Sequence, residues 1–466
     1  MSPRPPWPFW LLLGYCLVLA VGELFVRAEG NPTEESTLRA TMLESEARLA
    51  EASEWAAATG LAPQGFGTLS THVEIAEGLG RQETTPAGTR ERLAALVWLY
   101  ADRTRDDFHA RVNALLPPEA DRSRLGKLIA TLASTAKAPA ATDPEVTGAL
   151  GARPGWLERR LVAELGFANH PLPADVPFAR GELDEFKTVA GVLGGVVMLG
   201  FVGMLLLLLW PWLKKRLAEP AASPPLPFST TWWLPVHVIA AWFAFANTSG
   251  FLMHALLGGT GLSKTGWITF SVLHQVGFGL FGLWLVGRIG LLPSSASLLG
   301  VVRALEPGLE PYGGRAGRAL GHALLAVAMA LPLVLIAELV QVLLPFTPTA
   351  QGRATLLLFA SPPSDLAAVL LLLSAIVVAP FFEEALFRGY LYRVLRERIG
   401  LRWATLLSAL VFAAVHLSPE QLLPLTVLGL VFTRLYERSG GLLAPMLAHA
   451  IWNGTELLKY VAVYGR

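Results

Sequence analysis

A chain of 466 residues that is 53% hydrophobic and only 16% charged reads as a polytopic membrane protein carrying a soluble insert. Its net charge of +1 gives no electrostatic basis for binding nucleic acid. The single cysteine, Cys16, excludes a disulfide or a multi-cysteine metal site within the chain.

The first apolar stretch, 7–26, is interrupted only by Glu23 and flanked by Arg4 and Arg27. It is long for a signal peptide and lacks a good cleavage site, so the expectation is a retained membrane anchor over 1–27. Residues 28–186 change character: they hold most of the acidic residues and no apolar run long enough to span. Apolar residues recur at helical spacing over 34–58 and 89–116. Two further helices are expected over 121–137 and 154–165, divided by Pro/Gly/Ala-rich connections. This is a small helical domain with no metal spacing, nucleophile motif or glycine-rich phosphate loop. His72, His109 and His170 stand alone in it and read as ordinary surface or core histidines.

The next span, 189–213, ends on Lys214, Lys215 and Arg216, a stop-transfer signal of the cytoplasmic side. Further spans are expected over 232–257, 267–291, 320–345, 364–392, 403–418, 421–436 and 442–463, the shortest needing a thin or protein-lined site. Residues 187–346 form the N-terminal membrane helices and 347–466 the C-terminal core. Threading 214–216, 288–318, 393–402 and 434–438 to one side collects nearly all loop Lys and Arg there, leaving Lys264, Arg353, Lys459 and Arg466 opposite. The N-terminus is then cytoplasmic, with 28–186 and the C-terminus outside a plasma (inner) membrane; the Ala/Leu/Gly/Arg-rich composition suits a bacterium. The fold class is all-α: a polytopic transmembrane helical bundle of about nine spans, with a small helical extracytoplasmic domain inserted after the first.

Chemistry concentrates in 377–398, VVAPFFEEALFRGYLYRVLRER. A charge at the bilayer centre costs ~2.5–3.5 kcal/mol on insertion scales, so ionisable residues at depth are functional suspects. Glu384 and Arg388 are i and i+4, with the glutamate nearer the N-terminus, the better orientation for an ion pair. Glu383 points about 100° away around the helix and lacks that partner. Glu384 therefore reads as structural and Glu383 as free for chemistry; the bland alternative is a solvated helix cap. Pro380 cannot donate to Ile376 and is expected to kink the helix just ahead of the pair. Two later spans repeat the i, i+4 pattern, Phe412 with His416 and His449 with Asn453. Such polar faces converge inside a bundle, because each would be costly against lipid. Trp452 reads as packing or an interface aromatic, and the lone polar residues His254, His274, His322 and Glu338 as bundle packing or interface positions.

Glu383-Glu384-Ala-Leu-Phe-Arg388, Phe412-Ala-Ala-Val-His416 and His449-Ala-Ile-Trp-Asn453, each on its own helix, resemble the CAAX-protease and bacteriocin-processing family of intramembrane endopeptidases. The resemblance covers roughly 360–460, about a fifth of the chain. It implies that Glu383 and His416 activate a water, that His449 and Asn453 stabilise the oxyanion, and that Arg388 keeps Glu384 ionised, with Phe412 in support. No cofactor is then required. The alternative is a zinc enzyme with Glu383, His416 and His449 as ligands, although that leaves no obvious base except Glu384. The expected partners are the bilayer and a membrane protein or peptide substrate, whether prenylated protein, bacteriocin-like peptide or another membrane protein. Two further readings are a non-catalytic scaffold or sensor, whose motif residues brace the bundle, and a transporter. Against transport, no pair of broken helices sits in matching halves.

Overall fold

The computed structural model describes residues 5–28, 179–213, 233–257, 261–290, 301, 315–343 and 363–464. Nearly all of the expected 28–186 domain, including its four helices and lone histidines, lies outside the described residues, as does 214–216. Among the described residues every element is helical: α1 (Trp7–Ala28), α2 (Ala179–Leu213), α3 (Leu234–Leu257), α4 (Lys264–Leu285), α5 (Arg315–Val342), α6 (Asp365–Leu373), α7 (Ala379–Glu384), α8 (Arg393–Ala414), α9 (Leu422–Ser439) and α10 (Leu443–Tyr464). Between α6 and α7 the helix widens into a π-turn, Ser374–Val378, and between α7 and α8 into a π segment, Ala385–Tyr392.

Four helical runs are long and apolar enough to cross a membrane: Leu234–Leu257, Lys264–Arg288, Ala316–Gln341 and Asp365–Ala414. Trp7–Ala20 and Gly194–Leu209 are shorter apolar helices, and α9 and α10 are not in the long set. Outer faces carry bare apolar side chains such as Phe251, Leu256 and Trp403, each more than half exposed. A surface of this kind suits lipid and would aggregate in water.

The fourth run has 50 residues, about 75 Å of helix, more than twice a ~30 Å hydrocarbon core. It does not run straight. Gly400, with φ 76° and ψ 170°, breaks the helical path in a region open essentially to glycine alone. The chain therefore turns back at one residue, within the 393–402 segment expected as the connection between two spans. Residues far apart in sequence consequently touch: the Phe387 and Phe412 rings lie 5.3 Å apart, and Ser408 Oγ donates to Phe387 O at 3.4 Å.

Among the described residues, side chains pack into two clusters around this hairpin. One joins Trp242 and Leu283 to Phe382, Leu386, Phe387 and Phe412. The other joins Val327 and Val334 of α5 to Leu428, Phe432 and Trp452. Where α8 crosses α9, Gly429 lets the backbones close up; a Cβ there would stand 2.9 Å from both Cα and Cβ of Ala409. Of the lone histidines, His274 is half-buried and its Nε2 meets Ser249 Oγ at 2.7 Å, while His254 and His322 are exposed, His254 lying against the Trp267 ring at 5.4 Å.

Candidate active site

The i, i+4 spacing of Glu384 and Arg388 yields an ion pair. Arg388 Nη1 donates to Glu384 Oε1 at 2.8 Å, with both side chains almost fully buried. A buried pair needs its remaining valences met, and neighbouring elements meet several. Arg388 Nη2 reaches Gly429 O at 3.4 Å, across the crossing that the glycine permits. The guanidinium carbon sits 4.4 Å from the Phe412 ring centroid and 5.5 Å from that of Phe432, one ring from each packing cluster, in cation–π range. Glu384 also binds a partner that spacing did not indicate. His449 Nδ1 lies 2.9 Å from the same Oε1, so this carboxylate ties α7, Arg388 and α10 together.

His416 lies just past the end of α8 rather than on it, so the expected span 403–418 overshoots the helix. Its backbone N–H turns to Ala413 O, which leaves the Phe412 carbonyl without its i+4 donor. The imidazole Nδ1 takes that place at 2.7 Å. A carbonyl only accepts, so Nδ1 carries the proton and Nε2 faces the other way. The turn is completed by Leu417 at φ 52°, the one non-glycine residue of positive φ among the described residues.

Glu383 stands apart from the ion pair. Its Oε2 is buried and has no hydrogen-bond partner among the described residues. It lies 3.9 Å from His416 Nε2 and 4.0 Å from His449 Nε2. Three elements thus aim three groups at one small space, at separations too long for direct hydrogen bonds and suited to a bridging water. Ligands held about 2.0–2.2 Å from one tetrahedral zinc stand roughly 3.3–3.6 Å apart, closer than these. The Nδ1 partners of both histidines are of the kind that orients zinc ligands, but Glu383 as placed stands too far from both imidazoles to share the ion with them. Among the described residues no trio of His, Cys, Asp or Glu is close enough to hold a metal.

Asn453, one turn along α10 from His449, donates from Nδ2 to Ala375 O at 2.8 Å in the π-turn ahead of Glu383. Trp452 is buried in the α5–α9–α10 cluster as packing. Sequence reasoning missed two members of the neighbourhood. Phe432 stacks on both Arg388 and His449, the latter at 5.4 Å, yet nothing in the sequence separates it from phenylalanines that face lipid. Gln275 of α4 accepts from Ser374 Oγ; a lone amide in an apolar span was the available signal.

Residues 365–455 match the family described as Type II CAAX prenyl endopeptidase Rce1-like. Over 84 residues the chain is 32% identical to "Putative membrane peptidase YdiL" of Bacillus subtilis (strain 168), which covers 18% of this chain and 34% of that protein. Over 86 residues it is 41% identical to "Uncharacterized 24.3 kDa protein" of Escherichia coli, covering 17% and 40%. The chain thus spans between about a third and two-fifths of the length of these curated relatives. No solved structure matches it. The site assembled from α7, the turn after α8, and α10 falls wholly inside the matched stretch, and residues 365–455 are a domain of the Rce1-like type II CAAX prenyl endopeptidase family.

Proposed function

We propose that the chain is an intramembrane endopeptidase that hydrolyses a peptide bond of a membrane-associated protein or peptide with a water activated by Glu383. The observation that carries this reading is the placement of Glu383 Oε2, unpartnered, between the Nε2 atoms of His416 and His449. A water there gives one proton to Glu383 while its second points to the His416 Nε2 lone pair, which aims the oxygen at the scissile carbonyl. The carbonyl oxygen becomes an oxyanion. Asn453 meets it with the N–H not used on Ala375, and His449 meets it through Nε2–H. With Nδ1 held by Glu384, His449 donates from Nε2 only as imidazolium, a state that matches the two carboxylates with two cations, Arg388 and His449. Glu383 then passes its proton to the leaving amine as the C–N bond breaks.

In this reading about nine spans carry the chain across a plasma membrane with residues 28–186 outside, as the distribution of Lys and Arg supports. The apolar outer faces and the family match at 365–455 support a membrane peptidase over a scaffold. The test compares membrane proteomes of cells carrying the wild-type chain and Glu383→Gln. Uncut proteins should accumulate only with the variant; identical proteomes would leave the scaffold reading in place.

A further inference from the structure

Glu383 sits three residues past a proline, on a helix whose register changes just before it. Ala379 N–H donates to Ser374 O, five residues back, which makes the π-turn. One residue added in this way rotates everything downstream by about 100° relative to an unbroken α-helix. Isolated π-turns need support, and three groups supply it. Pro380 has no N–H, so the α-helical bond from residue 380 to Ile376 O cannot form and pull the turn back into register. Ala375 O is then stranded: its α-helical donor, Ala379 N–H, is engaged at Ser374 O, and its π donor would be Pro380. Asn453 Nδ2 fills that place at 2.8 Å. One residue earlier, Ser374 Oγ donates to Gln275 Oε1 on α4. Consecutive residues of the turn are thus tied to two different helices.

We infer that Gln275 is a positioning residue for the site: with Asn453 it holds the π-turn 374–378 and so directs Glu383 toward His416 and His449. Gln275 lies outside the matched stretch 365–455, so the direction of the carboxylate is set partly by a helix the family domain does not include. The role of Glu383 rests on the peptidase reading above; the geometry of the turn does not, and the test is chosen accordingly.

In a full-length Cys16→Ala background, Glu383→Cys with His416→Cys is treated in native membranes with a short bifunctional thiosulfonate. A reference pair, Tyr15→Cys with Thr248→Cys, replaces the Tyr15–Thr248 hydrogen bond between α1 and α3. Adding Gln275→Leu should lower cross-linking of the first pair severalfold and leave the reference pair unchanged. Gln275→Glu, which keeps an acceptor oxygen, should restore it. Ser374→Ala should reproduce the loss, and Ser374→Ala with Gln275→Leu should be no worse than either alone. Should Gln275→Leu fail to accumulate, Ser374→Ala carries the test, since it deletes one oxygen from the same bond. Unchanged cross-linking of the first pair, or equal loss at both pairs, overturns the inference. Because no substrate is involved, that result stands apart from the proteome comparison on which the peptidase reading depends.

Discussion

Adjacent glutamates on one helix are held in opposite ways, and each predicts its own defect. Glu384 is fully buried and accepts from both Arg388 and His449. Glu384→Gln leaves a buried guanidinium without its counter-charge, and breaking such a pair costs about 3–5 kcal/mol. Its folded yield and its melting temperature in detergent should both fall. Glu383 Oε2 makes no such bond, so Glu383→Gln should accumulate and extract like wild type while turnover is lost. Equal, fold-neutral losses at both positions would contradict the division. Metal dependence is decided by the same three side chains. With Glu383 standing farther from both His416 and His449 than zinc ligands stand from one another, exhaustive chelation should leave turnover intact. Stoichiometric zinc whose removal and return switch the purified enzyme off and on would overturn the glutamate mechanism but not the peptidase assignment.

Among the elements, two glycines carry the hairpin and separate two kinds of damage. A Cβ at Gly400 would meet nothing within 4 Å, yet the residue holds φ 76°. Gly400→Ala should therefore cost about 1–3 kcal/mol through backbone conformation alone, lowering the melting temperature while the folded fraction keeps its turnover. At Gly429 the backbone is helical and the space is missing, since a Cβ would come 2.9 Å from Ala409. Gly429→Ala should cost about 1–3 kcal/mol by overpacking and also reduce turnover per folded molecule, because Arg388 reaches the Gly429 carbonyl. What could be read in the sequence follows from helical period. Glu384 with Arg388 is an i, i+4 pair, and Phe412 with His416 keeps contact at 4.9 Å even though the helix ends between them. The turn before Glu383 was legible only in part. Pro380 announces a missing donor to Ile376, which reads as a kink; that the register also widens there, and that the carbonyl gaining an outside donor is Ala375, could not be read from it. Which of two registers wins depends on Gln275 and Asn453, 105 positions before and 73 after Pro380 by their numbering, and such distant partners have no local signature. The His449–Glu384 bond escaped for the same reason.

For the molecule as a whole, the distribution of Lys and Arg makes a topological prediction. A cysteine label introduced near residue 90 should react with an impermeant reagent applied to intact cells, and one near residue 310 should not. The reverse pattern would move the large hydrophilic segment inside and invert the threading. The reversal at Gly400 also bears on how the protein is made. The arm 365–399 emerges from the ribosome carrying Glu383, Glu384 and Arg388 before its partners exist, and each such residue at the helix centre opposes membrane insertion by ~2.5–3.5 kcal/mol. Phe412, Phe432 and His449, which surround the Glu384–Arg388 pair in the finished protein, are synthesised later. In nascent chains arrested once residue 399 has left the ribosome, a cysteine label within the 365–399 arm should therefore stay open to an impermeant reagent, whereas in chains that also present 401–455 to the bilayer it should be protected, so that commitment of this arm to lipid awaits translation of its own return arm.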